Sequence, residues 1–443
     1  MRKIYFITIC LNIMLALNAN AQEKETVTLD SLKKSVDHMK HELDILKRIK
    51  VSGWVQAQFQ VAETKGSAGY DGGNFAANQF NRFMIRRGRV KFTYTQKLMQ
   101  YVFQLNGSER GVNLVEIFGK VTDPWTKSIS LTAGVMNRPF GFEIQQSSAD
   151  RETPERSRYV QMLLPNERDL GAMISYQPIK GSKLYGLKVD GGFYSGNGLA
   201  VPGTTSIGVA GLIDTDTYKD FMGRIHYKRG FKDEKYSIGI GASTYQGGIA
   251  NQSEIVYKKL DTDVNGNRFW SQENNTSGTI LTGKKAPRIY YAGDFQFTMK
   301  SKIGSTTIRG EYITGTQSGS LDKTNSPNVT TVNTVNTVSR QFNGGCAYLI
   351  QRIGKSKHEL VAKYEWYDPN TKLSNKDFGV GSTFKSAELK YQMLGLGYVH
   401  YWDENVKFMV YYNLVQNEKG EGIAGYTKDL KDNVLTFRVQ YRF

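Results

Sequence analysis

Cysteine, proline and histidine are scarce in this chain: 2, 9 and 5 residues of 443. Cys10 lies inside an apolar run at the N-terminus, which leaves Cys346 alone in the remainder. An intramolecular disulfide and a cysteine-based metal site are therefore excluded there. Beyond that first run no stretch approaches the ~20 apolar residues a membrane helix needs. Dense Lys/Arg runs are missing too, so the formal charge of +17 carries no nucleic-acid arm. His226, His358 and His400 have no nucleophile motif beside them, so catalysis has little support and no cofactor is implied.

What is present starts with the last ten residues, 434–443, where apolar and polar side chains alternate and the chain stops on Phe443. Side chains on a strand point to opposite faces in turn. Leu435, Phe437, Val439, Tyr441 and Phe443 then share one face, and Thr436, Arg438, Gln440 and Arg442 the other. Together with 26 Tyr and 22 Phe, this suits the closing strand of a transmembrane barrel. A mean hydropathy of −0.46 is no obstacle, because half of each barrel strand faces a polar lumen.

The N-terminus reads as an export signal. Arg2 and Lys3 precede the apolar Ile4–Leu17, and Ala19-Asn20-Ala21 fits cleavage after Ala21. Ile9 is too bulky for a lipoprotein site at Cys10. In segment 22–50, Leu29, Leu32, Val36, Met39, Leu43 and Leu46 are spaced 3, 4, 3, 4, 3, as in an a/d seam. A short periplasmic coiled coil that joins protomers is expected, with one amphipathic surface helix as the plainer reading. His38 and His41 read as solvated helix residues.

From residue 51 to 443, turns and alternation mark sixteen strands, an even number as bacterial barrels have. The segments between them alternate in length. Short ones are 96–97, 123–127, 178–183, 231–234, 301–302, 353–355 and 403–404. The others are 62–79, 109–111, 138–167, 196–217, 247–287, 317–338, 369–385 and 418–431, all long except the second. Short turns on one side and long loops on the other are the barrel pattern. All nine prolines fall outside the expected strands. The fold expected is all-β, a 16-stranded antiparallel transmembrane barrel in a Gram-negative outer membrane, with outer-membrane lipid around it.

Four stretches in order carry a resemblance: Phe83–Phe92, with Arg86, Arg87 and Arg89; Tyr101–Gly107; Leu131–Glu143, with Gly-Val-Met-Asn-Arg-Pro-Phe at 134–140; and Glu167–Gly171, with Arg-Asp-Leu-Gly at 168–171. They resemble the phosphate-selective porin O and P family. That resemblance implies a trimeric porin whose third loop, 138–167 here, folds inward and narrows the pore. No lysine cluster aligns with the family's phosphate site.

The residues support diffusion biased by charge. Arg87, Arg89 and Lys91 alternate with Gly88, Val90 and Phe92, and an arginine facing lipid at mid-membrane costs about 2–4 kcal/mol. The three basic residues are thus expected in the lumen, with Arg438 and Arg442 joining them where the barrel closes. Carboxylates such as Glu116, Glu311 and Glu365 would neutralise that wall. In the third loop, Arg138, Arg151, Arg156, Arg158 and Arg168 stand against Glu143, Asp150, Glu152, Glu155, Glu167 and Asp169. They form either a working constriction or a solvated loop with internal ion pairs. Asp261, Asp263 and Asn265, followed by Gly266, copy half of a calcium loop, but Gln272 stands where the closing glutamate belongs. The expected function is passive diffusion of small hydrophilic solutes, anionic or neutral, with a mild anion preference. The alternatives are a solute-specific channel and a surface-binding barrel that acts through its long loops.

Overall fold

The computed structural model describes residues 29–69, 72–196, 198, 201–202, 210–211, 216–273, 280–325 and 336–443. The expected export signal lies outside them. The chain divides into two units, Met1–Ile49 and Lys50–Phe443. In the first, helix α1 spans Leu29–Lys47. Its seam residues Leu32, Met39, Leu43 and Leu46 are all exposed.

In the second unit sixteen strands close a barrel. They are β1 Ile49–Ala62, β2 Asn81–Gln96, β3 Met99–Ser108, β4 Gly111–Thr122, β5 Ile129–Asn137, β6 Arg168–Tyr176, β7 Leu187–Tyr194 and β8 Asp220–Phe231, then β9 Tyr236–Ala250, β10 Lys285–Ser301, β11 Gly304–Gly319, β12 Thr337–Ile353, β13 His358–Asp368, β14 Tyr391–Tyr401, β15 Val406–Asn417 and β16 Val434–Arg442. Neighbours pair antiparallel around the ring. Closure runs from β1 to β16, with Trp54 opposite Arg442 and Ala62 opposite Val434. Residues Gly53 and Phe443 exchange two backbone hydrogen bonds of 3.0 Å. A Cβ on Gly53 would stand 2.5 Å from the Phe443 ring, so only glycine lets that ring lie across the seam.

The two faces are inverted relative to a water-soluble sheet. Gln56, Gln58, Gln60, Thr436, Arg438 and Gln440 are buried, while Val55, Phe437, Val439, Tyr441 and Phe443 are exposed. Apolar groups outside and polar groups inside place the low-dielectric medium around the barrel. The terminal strand sorts into the two faces as its alternation predicts.

Proline corrects one expectation. Pro287 lies inside β10. It is tolerated because the β10–β11 ladder begins only at Ile289. Across the strand, the Gly248 N–H turns to the Asp220 carboxylate, and the Pro287 carbonyl accepts from the Ser318 hydroxyl. Pro202 also falls in a two-residue bridge, Val201–Pro202.

At the long-loop end, a hairpin of strands 256–262 and 268–272 brings Leu260 and Trp270 onto Leu373, Phe378, Phe384, Leu389 and Ile423. Beneath it, Arg340 and Glu388 form a buried ion pair of 2.6 Å. Asp261, Asp263 and Asn265 sit at the tip of that hairpin. The Asp263 carboxylate accepts from the backbone of Asn265 and Asn267 and from the Asn267 amide, so it closes a turn. Among the described residues, no group of three or more His, Cys, Asp or Glu is gathered as for a metal.

Candidate functional site: a loop across the lumen

Between β5 and β6 the chain leaves the wall at Arg138 and turns inward. Gly141 makes the turn at φ +54°, where a Cβ would lie 2.5 Å from a Glu311 carboxylate oxygen. Left-handed backbone packed this tightly needs glycine. The Gly141 N–H reaches Ser243 on β9. The N–H groups of Phe142 and Glu143 reach Glu311 on β11, at 2.6 and 3.2 Å. The loop therefore crosses the lumen, as the sequence suggested for 138–167.

Its far side is seated on β11 to β13. Glu143 accepts from Tyr348 and lies 3.4 Å from Lys363, which also meets Glu365 at 2.5 Å. Burial alone would raise the Glu143 carboxyl; Lys363, Tyr348 and Ser157 outweigh it and hold it below its ordinary value. Phe140, Phe142, Ile144, Tyr159, Val160 and Leu163 pack into one buried cluster with Phe342, Cys346 and Tyr348. Short helix α2, Arg158–Leu163, carries part of it. Tyr159 donates to Glu311, and the free Cys346 lies 3.4 Å from the same hydroxyl. The sequence offered Glu311 and Glu365 as charges that would neutralise a basic wall. They instead hold the loop.

The loop then passes β15, β16 and β1. The Ala149 carbonyl accepts from Lys407 and Gln440, and the Ser148 carbonyl from Gln56. Glu152 pairs with Arg309 at 2.9 Å. Glu155 gathers three arginines of the wall: Arg86 at 2.8 Å, Arg87 at 2.5 Å and Arg438 at 3.2 Å. Burial would raise the Glu155 carboxyl, but the charges of Arg86 and Arg87 hold it well below the usual range.

Every loop residue singled out in the sequence thus has a defined place. Arg138 pairs with Asp169 at 3.4 Å. Arg156 and Arg168 both pair with Glu167. Arg168 also reaches Glu116 on β4 at 3.0 Å. The guanidinium of Arg158 stacks 4.0 Å above the Tyr391 ring, and its backbone N–H reaches Glu365. Asp150 pairs with Arg442 at 2.8 Å, exposed on both sides. Arg151 is buried, and its guanidinium has no hydrogen-bond partner among the described residues. The plainer expectation of a solvated loop is overturned, because 142–144, 151–157 and 159–160 are almost wholly buried.

On β2 the alternation holds from Arg87 through Arg89 to Lys91, but not across Arg86. Met84 and Arg87 are both buried. The strand therefore changes parity between them, which brings Arg86 to Glu155. A second irregularity lies on β4: Gln104 pairs with Glu116 and Leu105 with Leu114, leaving Val115 over. Bulges of this kind re-aim side chains. The two irregularities flank a space beside the loop that reaches the lumen wall.

That space is a cavity of ≈ 560 Å³. Five arginines line it, Arg86, Arg87, Arg89, Arg156 and Arg168, against two glutamates, Glu155 and Glu167. Arg89 lies 5.6 Å over the Trp54 ring. Its Nε is buried without a hydrogen-bond partner, and no ion pair involving Arg89 is found among the described residues. Lys91, one turn of the ladder further, is taken by Glu116 at 3.2 Å. A second space of ≈ 300 Å³ lies by β7, β8 and β11, lined by Lys188, Asp190, Arg224, His226, Lys228 and Arg309.

No protein-family model matches this chain, and no curated protein matches it either. Solved structures do. An anion-selective porin from Comamonas acidovorans superposes with a TM-score of 0.50 at 10% identity, covering 89% of this chain and 99% of that one. The outer-membrane channel DcaP of Acinetobacter baumannii gives 0.48 at 11% identity, over 89% and 97%. OmpT of Vibrio cholerae, an outer-membrane protein, gives 0.46 at 10% identity, again over 89% and 97%. At such identities the likeness is one of fold: the chain is built as a porin barrel is.

Proposed function

We propose that this protein is an outer-membrane porin that passes small hydrophilic solutes by diffusion and prefers anions. The observation that carries the reading is the cavity beside the inward loop, where five arginines face two glutamates. Confined between low-dielectric walls, an uncompensated positive charge raises the local concentration of anions. The loop supplies the constriction, and the wall of β2 to β4 supplies the selectivity. Phosphate is the anion that the family resemblance suggests, and arginines are suited to its geometry.

The rest of the reading follows the same frame. Segment 1–21 is an export signal. The long loops face outward from a Gram-negative cell and the short turns face the periplasm. The exposed seam of α1 pairs with copies of itself as a coiled coil, and the protein is a homotrimer.

Planar-bilayer recording under a KCl gradient tests the function. A stable conductance with an anion-selective reversal potential is expected, with stepwise block as phosphate is added if the site binds it. Conductance without anion preference would remove the arginine argument. Absence of any channel from correctly folded protein would remove the porin.

A further inference from the structure

Three of the chain's histidines lie on strands, and two of these face each other. His358 opens β13 and His400 is the last but one residue of β14, and they are direct cross-strand partners. The neighbouring position carries the ladder hydrogen bond, from the Tyr401 N–H to the Lys357 carbonyl. The histidine pair is thus at a non-hydrogen-bonded site, where opposing side chains stand closest. The pair shares the outward face with Leu360, Tyr398 and Trp402, all exposed, at the short-turn end of the barrel.

The ring nitrogens are not placed at random. Nδ1 of His358 and Nδ1 of His400 lie 3.3 Å apart, with the ring centroids at 4.8 Å. The Tyr398 hydroxyl lies 2.7 Å from the His358 Nδ1. Two imidazole nitrogens bound to one tetrahedral Zn²⁺ at about 2.0–2.1 Å are held about 3.3–3.4 Å apart. In the empty pair that separation is spanned by an Nδ1–H···Nδ1 hydrogen bond, which holds the two nitrogens at the spacing a shared metal requires.

The geometry points to a binding site for a divalent cation of the zinc class on the outer wall, with His358 and His400 as its two protein ligands. Neutral imidazole is the commonest protein ligand of such ions. One of the two facing nitrogens carries a proton in the empty pair. On binding, that ring takes its Nε2–H tautomer and both Nδ1 lone pairs go to the metal, with no net proton lost. Water completes the coordination. The ion would clip β13 to β14 beside the 354–357 and 402–405 turns.

The test uses the full chain in detergent, stripped of metal. His38→Ala and His41→Ala are introduced to remove the exposed helical histidines as competitors. Calorimetric titration with Zn²⁺ is expected to give one ion per chain. His358→Ala or His400→Ala should each weaken binding at least about tenfold, since even residues behind a metal's ligands commonly matter that much, while Tyr398→Phe retains it. No uptake by the parent, or equal uptake by both histidine variants, overturns the site. Should either variant fail to fold, carbethoxylation of the parent is read by mass spectrometry. Zn²⁺ should slow modification of both His358 and His400 at least about tenfold, and unchanged rates overturn the proposal.

Discussion

The two flanks of the inward loop use charge in opposite ways. On the β11–β13 flank every buried charge has an opposite charge or a hydrogen-bond donor: Lys363 lies between Glu143 and Glu365, and Glu311 takes two backbone N–H groups and the Tyr159 hydroxyl. On the β2–β4 flank arginines outnumber carboxylates, and Arg89 makes no ion pair among the described residues. A buried charge left unpaired is costly unless water or a mobile ion reaches it. The loop is anchored where each buried charge has a partner, and the proposed passage runs along the flank where Arg89 has none among the described residues.

The largest effect is expected from the anchored flank. Lys363→Ala leaves Glu143 and Glu365 buried without their cation, a change that commonly costs about 3–5 kcal/mol. Lys363 is 1% exposed, so solvent cannot compensate. Thermal melting should show a lower midpoint, and single-channel conductance should rise as the loop leaves its seat.

Gly141→Ala comes next. The left-handed backbone and the contact with Glu311 make a side chain there cost about 1–3 kcal/mol. It should give a noisier, larger channel than the parent, measured by current variance. A quiet channel of unchanged size would show that the loop's entry turn is not what fixes the constriction.

Arg89→Ala should do the reverse: no fall in the melting midpoint, because no ion pair is broken, and anion preference reduced in the reversal potential. Equal selectivity with and without Arg89 would erase the distinction between the flanks.

Acid gives a smaller effect still over the usual range. The folded-state value of Glu155 is depressed, so its contribution is fully present above the ordinary glutamate value of about 4.3. It is lost only as pH falls through the depressed value. The Glu155 pairs with Arg86 and Arg87 should therefore hold from pH 7 down to about 5, with their release confined to pH below about 4. A conductance step above pH 5 that disappears in Glu155→Gln would contradict the pairing. Arg442→Ala, which breaks an exposed pair with Asp150, should cost under about 1 kcal/mol.

Most of the fold was legible. The barrel's outer face is mostly apolar and its inner face mostly polar, so period-two alternation survives along most of each strand and all sixteen could be read, with ends shifted by a few residues. The inward path of 138–167 was implied by the resemblance alone; the segmentation marked only a long connection there. The second unit's loop partners were not. Whether Glu155 meets Arg87 or water depends on contacts between residues 68 positions apart, which no local pattern encodes. Arg86 was misplaced for a related reason. A bulge breaks the parity on which alternation depends, and the only hint was two adjacent arginines where a strict strand must send one toward lipid. Pro287 was excluded from a strand because its missing N–H was assumed to be needed, whereas the β10–β11 ladder starts two residues later.

Current is expected to pass along the arginine flank and not along the anchored one. Thiol accessibility during conduction tests it most directly, because the chain's described free thiol, Cys346, is buried on the anchored flank beside Tyr159. A charged methanethiosulfonate reagent should leave the parent current unchanged. In Asn113→Cys, a position lining the cavity, the same reagent should lower the current in discrete steps. Loss of current in the parent, with Asn113→Cys no more sensitive than the parent, would place the passage on the other side of the loop and contradict the account.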